Sequence, residues 1–391
     1  MAISYPGSSR SNPVRICLIT GYLGAGKTTL LNNILSNDKG IRAAVIVNDI
    51  GEVNIDADLI AKTGVVMQSE DNLVPLTNGC ICCTLSQDLY YQLLNLADTG
   101  KFDTIIIEAS GICEPVPISF TIDNFCKTES ERGLYCTLDN IIAVVDCARM
   151  YDEFNNGADL LEEDLEEDDI ENLLVQQIEF CTTLILNKTD LVTPEQVAEL
   201  KAIVRGLQKG AKIIEAVNGQ VDIVDLLRTD RFDFDEAYSS AAWLEAIEHP
   251  EEHEDPEVLE YDVATFVYER RKPFSLEKLQ ELAGQWPESI IRCKGLAWID
   301  ENPDMALMFE QAGRQVSLTE NGRFVASAPE RDQKMIIAQN PEIMDSWDPV
   351  TGDRMIKLVV IGRHMNVPAI VAAFDACLTE WIPLEERDVL V

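Results

Sequence analysis

The segment GYLGAGKTT, residues 21–29, constrains the fold of this chain more than any other. It comes directly after the apolar run VRICLIT, and the apolar-periodic stretch TLLNNILS overlaps its end. It fits the pattern G-x-x-x-x-G-K-[ST], in which small residues let backbone N–H groups turn inward around phosphates and the lysine neutralises phosphate charge. The N-terminus of the following helix adds partial positive charge. The sequence therefore predicts a strand, a phosphate-binding loop and a helix, in that order.

Five short apolar runs share one pattern along residues 14–228. They are rich in Ile and Val, lack an alternating polar face, end in polar residues and alternate with helical stretches: VRICLIT, AAVIVND, TIIIEAS, NIIAVVD and TTLILNK. Such runs are typical of central strands in a parallel sheet, whose C-terminal ends carry ligand-binding loops. We therefore predict an α/β fold of the P-loop NTPase type, with a doubly wound, mainly parallel sheet.

The chain has 391 residues, which is enough for two domains. Residues 229–258 include the polar, proline-containing EHPEEHEDPE and are predicted to form an acidic linker. The P-loop domain is placed at 1–228 and a smaller α+β C-terminal domain at 259–391, beginning with the strand-like YDVATFVYER. The acidic stretch 152–171 is predicted to be a surface insertion in the first domain.

The segment LILNKTDLV places Asn187, Lys188 and Asp190 at the end of a predicted strand. N-K-x-D is the guanine-reading arrangement of GTPases: a carboxylate at Asp190 accepts from the N1 and N2 hydrogens of guanine, and the Lys188 stem lies along the base. Adenine offers no such pair of hydrogens, so ATP would leave the carboxylate unpaired. We therefore predict GTP as the nucleotide, and the segment disfavours a P-loop kinase for a small metabolite.

Hydrolysis of GTP needs charged and hydrogen-bonding groups at the phosphates, and the strand ends supply candidates. Lys27 provides charge at the β- and γ-phosphates, the Thr28 hydroxyl is a ligand for Mg²⁺, and Glu108 ends a predicted strand where P-loop NTPases carry an acidic residue near the ion. Asp49 and Glu52 are, with Glu108, the candidates for positioning the attacking water. The predicted nucleotide-binding residues are Gly21, Gly24, Ala25, Gly26, Lys27, Thr28, Thr29, Gly111, Asn187, Lys188 and Asp190.

Three cysteines, Cys80, Cys82 and Cys83, occupy four positions in TNGCICCTLS. The chain has 11 cysteines and no sign of secretion, so we expect reduced thiols rather than disulfides. Three thiolates this close suit a soft or borderline divalent ion such as Zn²⁺, although C-x-C-C is tighter than the paired C-x₂-C of a structural zinc site and leaves room for exchangeable ligands. Two other interpretations remain open: a redox-active pair, or one buried thiol with two bystanders.

Five segments, taken in order, resemble the CobW-type GTPases, metallochaperone-like relatives of the urease and hydrogenase accessory GTPases: GYLGAGKTTLLN, NDIGEVNID, NGCICCTLSQDL, IIIEASGICEP and LNKTDLV. FVYERRKPFSLEKL and IRCKGLAWI resemble the C-terminal domain of that family. The resemblance implies slow GTP hydrolysis coupled to delivery of a metal, often zinc and sometimes cobalt or iron, to a client metalloprotein. The alternative from another class is a non-catalytic, GTP-dependent switch whose cysteines scaffold a partner surface.

The chain departs from the family pattern at several positions. Asp49 stands where many relatives carry Glu, which keeps the charge and shortens the reach by one methylene. EHPEEHED is a poor version of a His-rich stretch, so bulk metal storage is not expected. Two questions stay open: whether His249 and His253 bind a metal, and whether Cys113 reaches the metal or is a plain core thiol.

The net charge of −37 excludes some classes of partner. A surface this acidic repels phosphate backbones and anionic lipid, so we expect neither nucleic acid nor membrane partners. The first fifteen residues lack the apolar core of a signal peptide, and no run approaches the roughly 20 apolar residues of a membrane span. We therefore expect a cytoplasmic protein, and the oligomeric state is not readable from the sequence.

Overall fold

In the computed structural model, the chain divides into two units, Met1–Ala241 and Ala242–Val391. The structure describes residues 13–36, 40–47, 73–75, 86–111, 113–154, 168–233, 262–312 and 315–381. Several predicted site residues lie outside the described residues: Asp49, Glu52, Cys80, Cys82, Cys83, His249 and His253. None of the described helices has the length and apolar character that a bilayer crossing requires.

A parallel sheet organises the described part of the first unit. Its seven strands lie in the order β3-β2-β4-β1-β5-β6-β7, and each neighbouring pair is parallel. Their bounds are β1 Val14–Thr20, β2 Ala43–Val47, β3 Leu73–Pro75, β4 Thr104–Glu108, β5 Cys136–Asp146, β6 Thr183–Asn187 and β7 Lys212–Glu215. Because all the strands run the same way, the loops at their C-terminal ends meet at one edge of the sheet.

Helices connect these strands. Their bounds are α1 Lys27–Leu35, α2 Ser86–Asp98, α3 Pro115–Ser130, α4 Cys147–Phe154, α5 Asp168–Glu179 and α6 Pro194–Leu207. Helix α6 has Pro194 in its first turn, and a reciprocal pair of hydrogen bonds between Thr193 and Gln196 caps its N-terminus. The predicted acidic insertion, 152–171, overlaps the end of α4 and the start of α5, and residues 155–167 within it lie outside the described residues.

The strands form because their side chains are apolar on both faces and are covered by helices. Strands β4 and β6 are buried throughout, and the Ile, Val and Leu side chains of β1 have exposed fractions of 0–2%. Each fully buried side chain of this kind contributes roughly 1.5–3 kcal/mol relative to leaving it in water. The predicted doubly wound, mainly parallel α/β fold is confirmed.

Strand β5 contains a β-bulge near its beginning. Ile16 of β1 is paired with Leu138, and Cys17, the next residue, is paired with Asn140. Asp139 is therefore the extra residue, and its backbone is released from the ladder with β1. The Asp139 carboxylate is fully buried. It lies near the N-terminal end of β1, whereas the phosphate-binding loop follows the C-terminal end of that strand.

Asp139 binds the segment that follows the last described strand of the first unit. Its carboxylate accepts hydrogen bonds from the N–H groups of Thr229 and Asp230 at 3.1 and 2.8 Å, and Arg15 Nη1 lies 3.2 Å from Oδ1. Asp230 has a left-handed backbone, with φ of 49°. The beginning of the predicted linker is thus fastened to the sheet by one buried acidic side chain.

Asp139→Ala is expected to lower the free energy of unfolding by about 3 kcal/mol, because it leaves the N–H groups of Thr229 and Asp230 without their buried acceptor and removes one of the two carboxylates that pair with Arg15. Urea unfolding followed by far-UV circular dichroism measures the change. The matched control is Asp123→Ala, which breaks the ion pair of Asp123 with the exposed Lys127 on α3 and should cost less than about 1 kcal/mol. Equal effects of the two substitutions would contradict the role given to Asp139.

The second unit is built on an antiparallel sheet of five strands, in the order β11-β10-β9-β12-β8 within its described residues. The strands are β8 Val263–Arg270, β9 Ile290–Ala297, β10 Met305–Ala312, β11 Gln315–Arg323 and β12 Ile356–Arg363, and the helices are α7 Leu276–Ala283, α8 Glu330–Gln339 and α9 Val367–Ala376. The predicted α+β character of this part of the chain is confirmed.

Aromatic side chains fill the core of the second unit. Trp298 is fully buried, and the ring of Trp381 lies 5.5 Å from it, centroid to centroid. Trp286 packs at 5.7 Å against both Phe309 and Phe374. Each such ring buries a large apolar area, and tilted or offset pairs add a further ~0.5–1.5 kcal/mol. Trp286, Trp298 and Trp381 therefore belong to the structural core of this unit.

Candidate functional site

The phosphate-binding loop owes its shape to glycines. Gly24 and Gly26 have φ of 77° and 106°, a region of backbone conformation that other residues rarely adopt. A Cβ at Gly26 would lie 2.4 Å from Asn187 Nδ2, and a Cβ at Gly21 would lie 2.2 Å from the carbonyl oxygen of Val144. The loop can therefore turn tightly above the sheet only because these positions lack side chains.

Lys27, the first residue of α1, reaches back over the loop that precedes it. Its Nζ donates hydrogen bonds to the carbonyl oxygens of Gly21 at 2.7 Å and Tyr22 at 3.2 Å. The side chain is only 7% exposed. The ammonium is thus held inside the arc of the loop, where a nucleotide's phosphates would be cradled.

Thr28, in the first turn of α1, is hydrogen-bonded to Glu108 at the end of β4. The Thr28 hydroxyl donates to Glu108 Oε1 at 2.9 Å, and Glu108 is 1% exposed at the end of β4. A hydroxyl and a carboxylate are hard oxygen donors of the kind that Mg²⁺ prefers, so the pair fits the predicted ion. Gly111 lies against the same loop, since a Cβ there would be 2.7 Å from the backbone nitrogen of Leu23.

Asn187 ties two loops together. Its Nδ2 donates to the carbonyl oxygen of Ala25 at 2.8 Å, and its Oδ1 accepts from the N–H of Gly219 at 2.9 Å. The side chain is 2% exposed. Asn187 therefore joins the phosphate-binding loop, through Ala25, to the loop that follows β7.

The rest of the predicted guanine-reading segment lies beside Asn187, with Lys188 partly exposed and Asp190 exposed. Lys188 has a left-handed backbone, with φ of 60° and ψ of 37°, and Asp190 is exposed in the short 3₁₀ turn Thr189–Leu191. Thr189 bonds through its N–H and its hydroxyl to the carbonyl oxygen of Ala216. The structure thus brings the two predicted sites, for phosphates and for guanine, to one edge of the sheet.

The predicted nucleotide-binding residues lie in the phosphate-binding loop, on α1 and at the same edge of the sheet. Gly21, Gly24, Ala25, Gly26, Lys27 and Thr28 form or adjoin the loop, Thr29 is exposed on α1, and Gly111, Asn187, Lys188 and Asp190 line the same edge. Their binding of nucleotide stays a prediction. So does the metal role of the cysteine trio, which lies outside the described residues.

The described cysteines are not gathered into a cluster with other metal-binding side chains. Among the described residues, no group of three or more His, Cys, Asp or Glu side chains is placed to hold a metal ion. Cys113 is buried, with 1% of its surface exposed. Burial, followed by the nearby charge of Asp146, raises the pKa of the Cys147 thiol to about 12. That thiol remains protonated at neutral pH, whereas a metal ligand must be a thiolate.

Sequence reasoning missed several residues at this edge. Asn218 and Gly219 follow β7, a strand of four residues, KIIE, that is too short and too exposed to stand out. The Asn-Gly pair after an apolar run was the available signal for a turn there. Asp146 ends the run NIIAVVD and Arg149 follows it. The rule that acidic residues at strand ends mark a site, used for Glu108, would have found Asp146.

Comparison with known proteins places this geometry in a family. Residues 15–215 match the family described as CobW/HypB/UreG, nucleotide-binding domain, which covers more than half of the chain. The chain belongs to the CobW/HypB/UreG family. Residues 263–378 match the cobalamin synthesis protein cobW C-terminal domain, so both units have counterparts in CobW proteins. The resemblance found in the sequence is thereby confirmed.

Relatives of this CobW-family chain extend over most of its length. It is 34% identical to zinc-regulated GTPase metalloprotein activator 1 of Dictyostelium discoideum over 381 residues, 93% of this chain and 79% of the relative. It is 28% identical to zinc chaperone YjiA of Escherichia coli K12 over 340 residues, 85% and 96% of the two chains. The crystal structure of Zn(II)-bound YjiA GTPase from E. coli aligns at 22% identity with a TM-score of 0.41, covering 94% of this chain and all of that one.

Proposed function

We propose that this protein is a GTP-hydrolysing zinc chaperone that holds the metal through Cys80, Cys82 and Cys83 and delivers it to a client metalloprotein. The observation that carries the proposal is a pair of hydrogen bonds. Through them the Asn187 side chain joins Ala25 of the phosphate-binding loop to Gly219 of the loop that follows β7. In a nucleotide site organised in this way, the carboxylate of Asp190 would select GTP by accepting from the N1 and N2 hydrogens of guanine. The names of the relatives, a zinc-regulated GTPase activator and a zinc chaperone, support zinc as the cargo.

GTP hydrolysis follows from family membership together with the geometry of the site. Lys27 is already held over the loop and would exchange its bonds to loop carbonyls for bonds to phosphate oxygens. Thr28, with Glu108 beside it, would hold Mg²⁺. When bound, that ion would neutralise charge on the phosphate oxygens. The water-positioning role is assigned to the acidic candidates Asp49, Glu52 and Glu108 as a proposal.

Zinc would be the cargo of this protein and not a resident cofactor. The three cysteines of the C-x-C-C segment would bind it as thiolates, so the affinity for zinc should fall as the pH falls. Between the phosphate-binding loop and Glu108, P-loop GTPases carry the segments that respond to the γ-phosphate, and the cysteines belong to that interval. Loss of the γ-phosphate would relax the segment of Asp49 and Glu52 and loosen the ligand set, which releases the ion to the client.

The test measures zinc affinity by competition with a chromogenic chelator, once with a non-hydrolysable GTP analogue and once with GDP. The wild type should bind zinc about tenfold more tightly with the GTP analogue. Cys82→Ser should weaken binding by about a hundredfold and remove the difference between the nucleotides, because one of three thiolates is lost.

The matched control is Cys126→Ser, the same substitution at a half-buried cysteine of α3. It should leave both zinc affinities unchanged. If the wild type binds zinc equally in the two nucleotide states and Cys82→Ser matches it, the chaperone proposal fails. Multiple turnover of GTP by the same preparation would separate the enzyme from a non-catalytic switch, and repeating the titration with Co²⁺ and Fe²⁺ ranks the candidate metals.

A further inference from the structure

Asp146, the last residue of β5, contacts its surroundings with both carboxylate oxygens. Oδ2 accepts from Lys188 Nζ at 2.6 Å. Oδ1 accepts from the backbone N–H groups of Ala148 and Arg149 at 3.1 and 3.3 Å, in the first turn of α4. One side chain thus pairs with the lysine of the guanine-reading segment and caps the helix beside it.

The ion pair matters because the backbone of Lys188 is in an unusual conformation. A left-handed φ at a lysine is disfavoured and persists only when the surroundings hold it. The Lys188 side chain is 34% exposed and that of Asp146 is 16% exposed, so the pair is partly shielded from water. The stem of Lys188 can support a guanine base only if its direction is fixed, and the bond to Asp146 fixes it.

Helix α4, which Asp146 caps, makes a second contact with the nucleotide-binding region, through Arg149. Arg149, in the first turn of α4, places its guanidinium carbon 4.0 Å from the centroid of the Tyr22 ring. Tyr22 belongs to the phosphate-binding loop, is 5% exposed, and accepts a hydrogen bond from Lys27 through its carbonyl oxygen. A cation over an aromatic ring is attracted to it, so the first turn of α4 stabilises the position of the loop through this contact.

We propose that Asp146 is a positioning residue for guanine nucleotide, which orients Lys188 for the base and, through the first turn of α4, sets Arg149 against the phosphate-binding loop. The proposal rests on the guanine-nucleotide binding put forward above. It is distinct from a purely local role, in which Asp146 would cap α4 and nothing more.

Asp146→Asn separates the two roles. Asn is as good a helix cap as Asp, so the substitution keeps the cap and removes the charge that pairs with Lys188. The dissociation constant for the fluorescent analogue mant-GDP should rise about tenfold, because a hydrogen bond between charged groups is lost. KM for GTP should rise with it while kcat changes less than about twofold, since the base is held equally in ground and transition states.

Asp146→Ala removes the cap as well and should weaken mant-GDP binding further than Asp146→Asn does. The matched control is Asp123→Asn, which breaks a lysine–aspartate pair of 2.7 Å on α3 and should leave nucleotide binding unchanged. Thermal unfolding of each variant shows that the comparison is made between folded proteins. Equal binding by the Ala and Asn variants would overturn the part of the proposal that runs through α4.

A double-mutant cycle with Lys188→Met tests whether Asp146 acts through the lysine. Met keeps an unbranched apolar stem and lacks the ammonium. In that background, Asp146→Asn should change mant-GDP binding by less than about twofold, which is the mark of a coupled pair. Full additivity, or wild-type binding by Asp146→Asn alone, would overturn the proposal while leaving the GTPase function standing. A wild type that binds no guanine nucleotide would overturn both.

Discussion

Lys27→Ala should lower kcat/KM for GTP hydrolysis by about a thousandfold, because it removes the positive charge held closest to the predicted position of the β- and γ-phosphates. The ammonium is nearly buried and bonds to two loop carbonyls, so no solvent-exposed lysine can take its place. Charge stabilisation in a site that excludes water is worth far more than the same contact in bulk solvent. Phosphate release under saturating GTP and at low GTP gives kcat and kcat/KM separately.

The control for Lys27→Ala is Lys334→Ala, which removes an exposed lysine paired with Glu330 on α8 of the second unit. Its hydrolysis rate should equal that of the wild type. Because Lys27 also bonds to the loop, the melting temperature of the variant must be measured together with its rate. A folded Lys27→Ala protein that hydrolyses GTP within tenfold of the wild-type rate would show that the loop is not the catalytic phosphate site.

Asp190→Asn should weaken GTP binding by about a thousandfold, since a site built around a carboxylate loses the acceptor for two hydrogens of guanine. The same substitution should improve binding of xanthosine triphosphate. Xanthine carries a carbonyl where guanine has its 2-amino group, and the Asn amide can donate a hydrogen bond to that oxygen. Competition of GTP and xanthosine triphosphate against mant-GDP measures the exchange of preference.

The exposed position of Asp190 makes this substitution safe for the fold. Asp345→Asn, at an exposed aspartate in the 3₁₀ turn Pro341–Ser346 of the second unit, serves as the control and should alter neither preference. Loss of GTP binding without any gain for xanthosine triphosphate would indicate that Asp190 supports the loop rather than reading the base. Unchanged GTP binding would show that guanine is recognised elsewhere.

The first unit was largely predictable from the sequence because buried parallel strands carry their own signal. The runs VRICLIT and TIIIEAS correspond to strands β1 and β4, with bounds Val14–Thr20 and Thr104–Glu108. Apolar side chains on both faces and polar residues at the C-terminal end allow little other interpretation. Strand β7, Lys212–Glu215, was not predicted because none of its four residues is fully buried and it is the last strand on one side of the sheet.

The contacts within the site were less predictable than the motifs. The sequence assigned Asn187 to nucleotide binding, but it gave no sign that the amide also bonds to Ala25 and Gly219, which are 162 and 32 residues away along the chain. Asp139 was missed for a related reason: a lone acidic residue at the start of an apolar run reads as a strand end, and only the bulge explains its burial. Long-range partners of single polar residues depend on register, which one sequence does not reveal.

The aromatic core of the second unit has a practical consequence for following this protein at work. All five tryptophans of the chain, from Trp243 to Trp381, fall within Ala242–Val391, whereas the predicted nucleotide-binding residues belong to Met1–Ala241. Indole emission overlaps the absorption of the mant group, so excitation of the tryptophans with mant-GDP bound reports energy transfer from one unit to the other. Because every tryptophan lies in one unit and the predicted nucleotide site in the other, the native chain needs no added donor label for such a measurement.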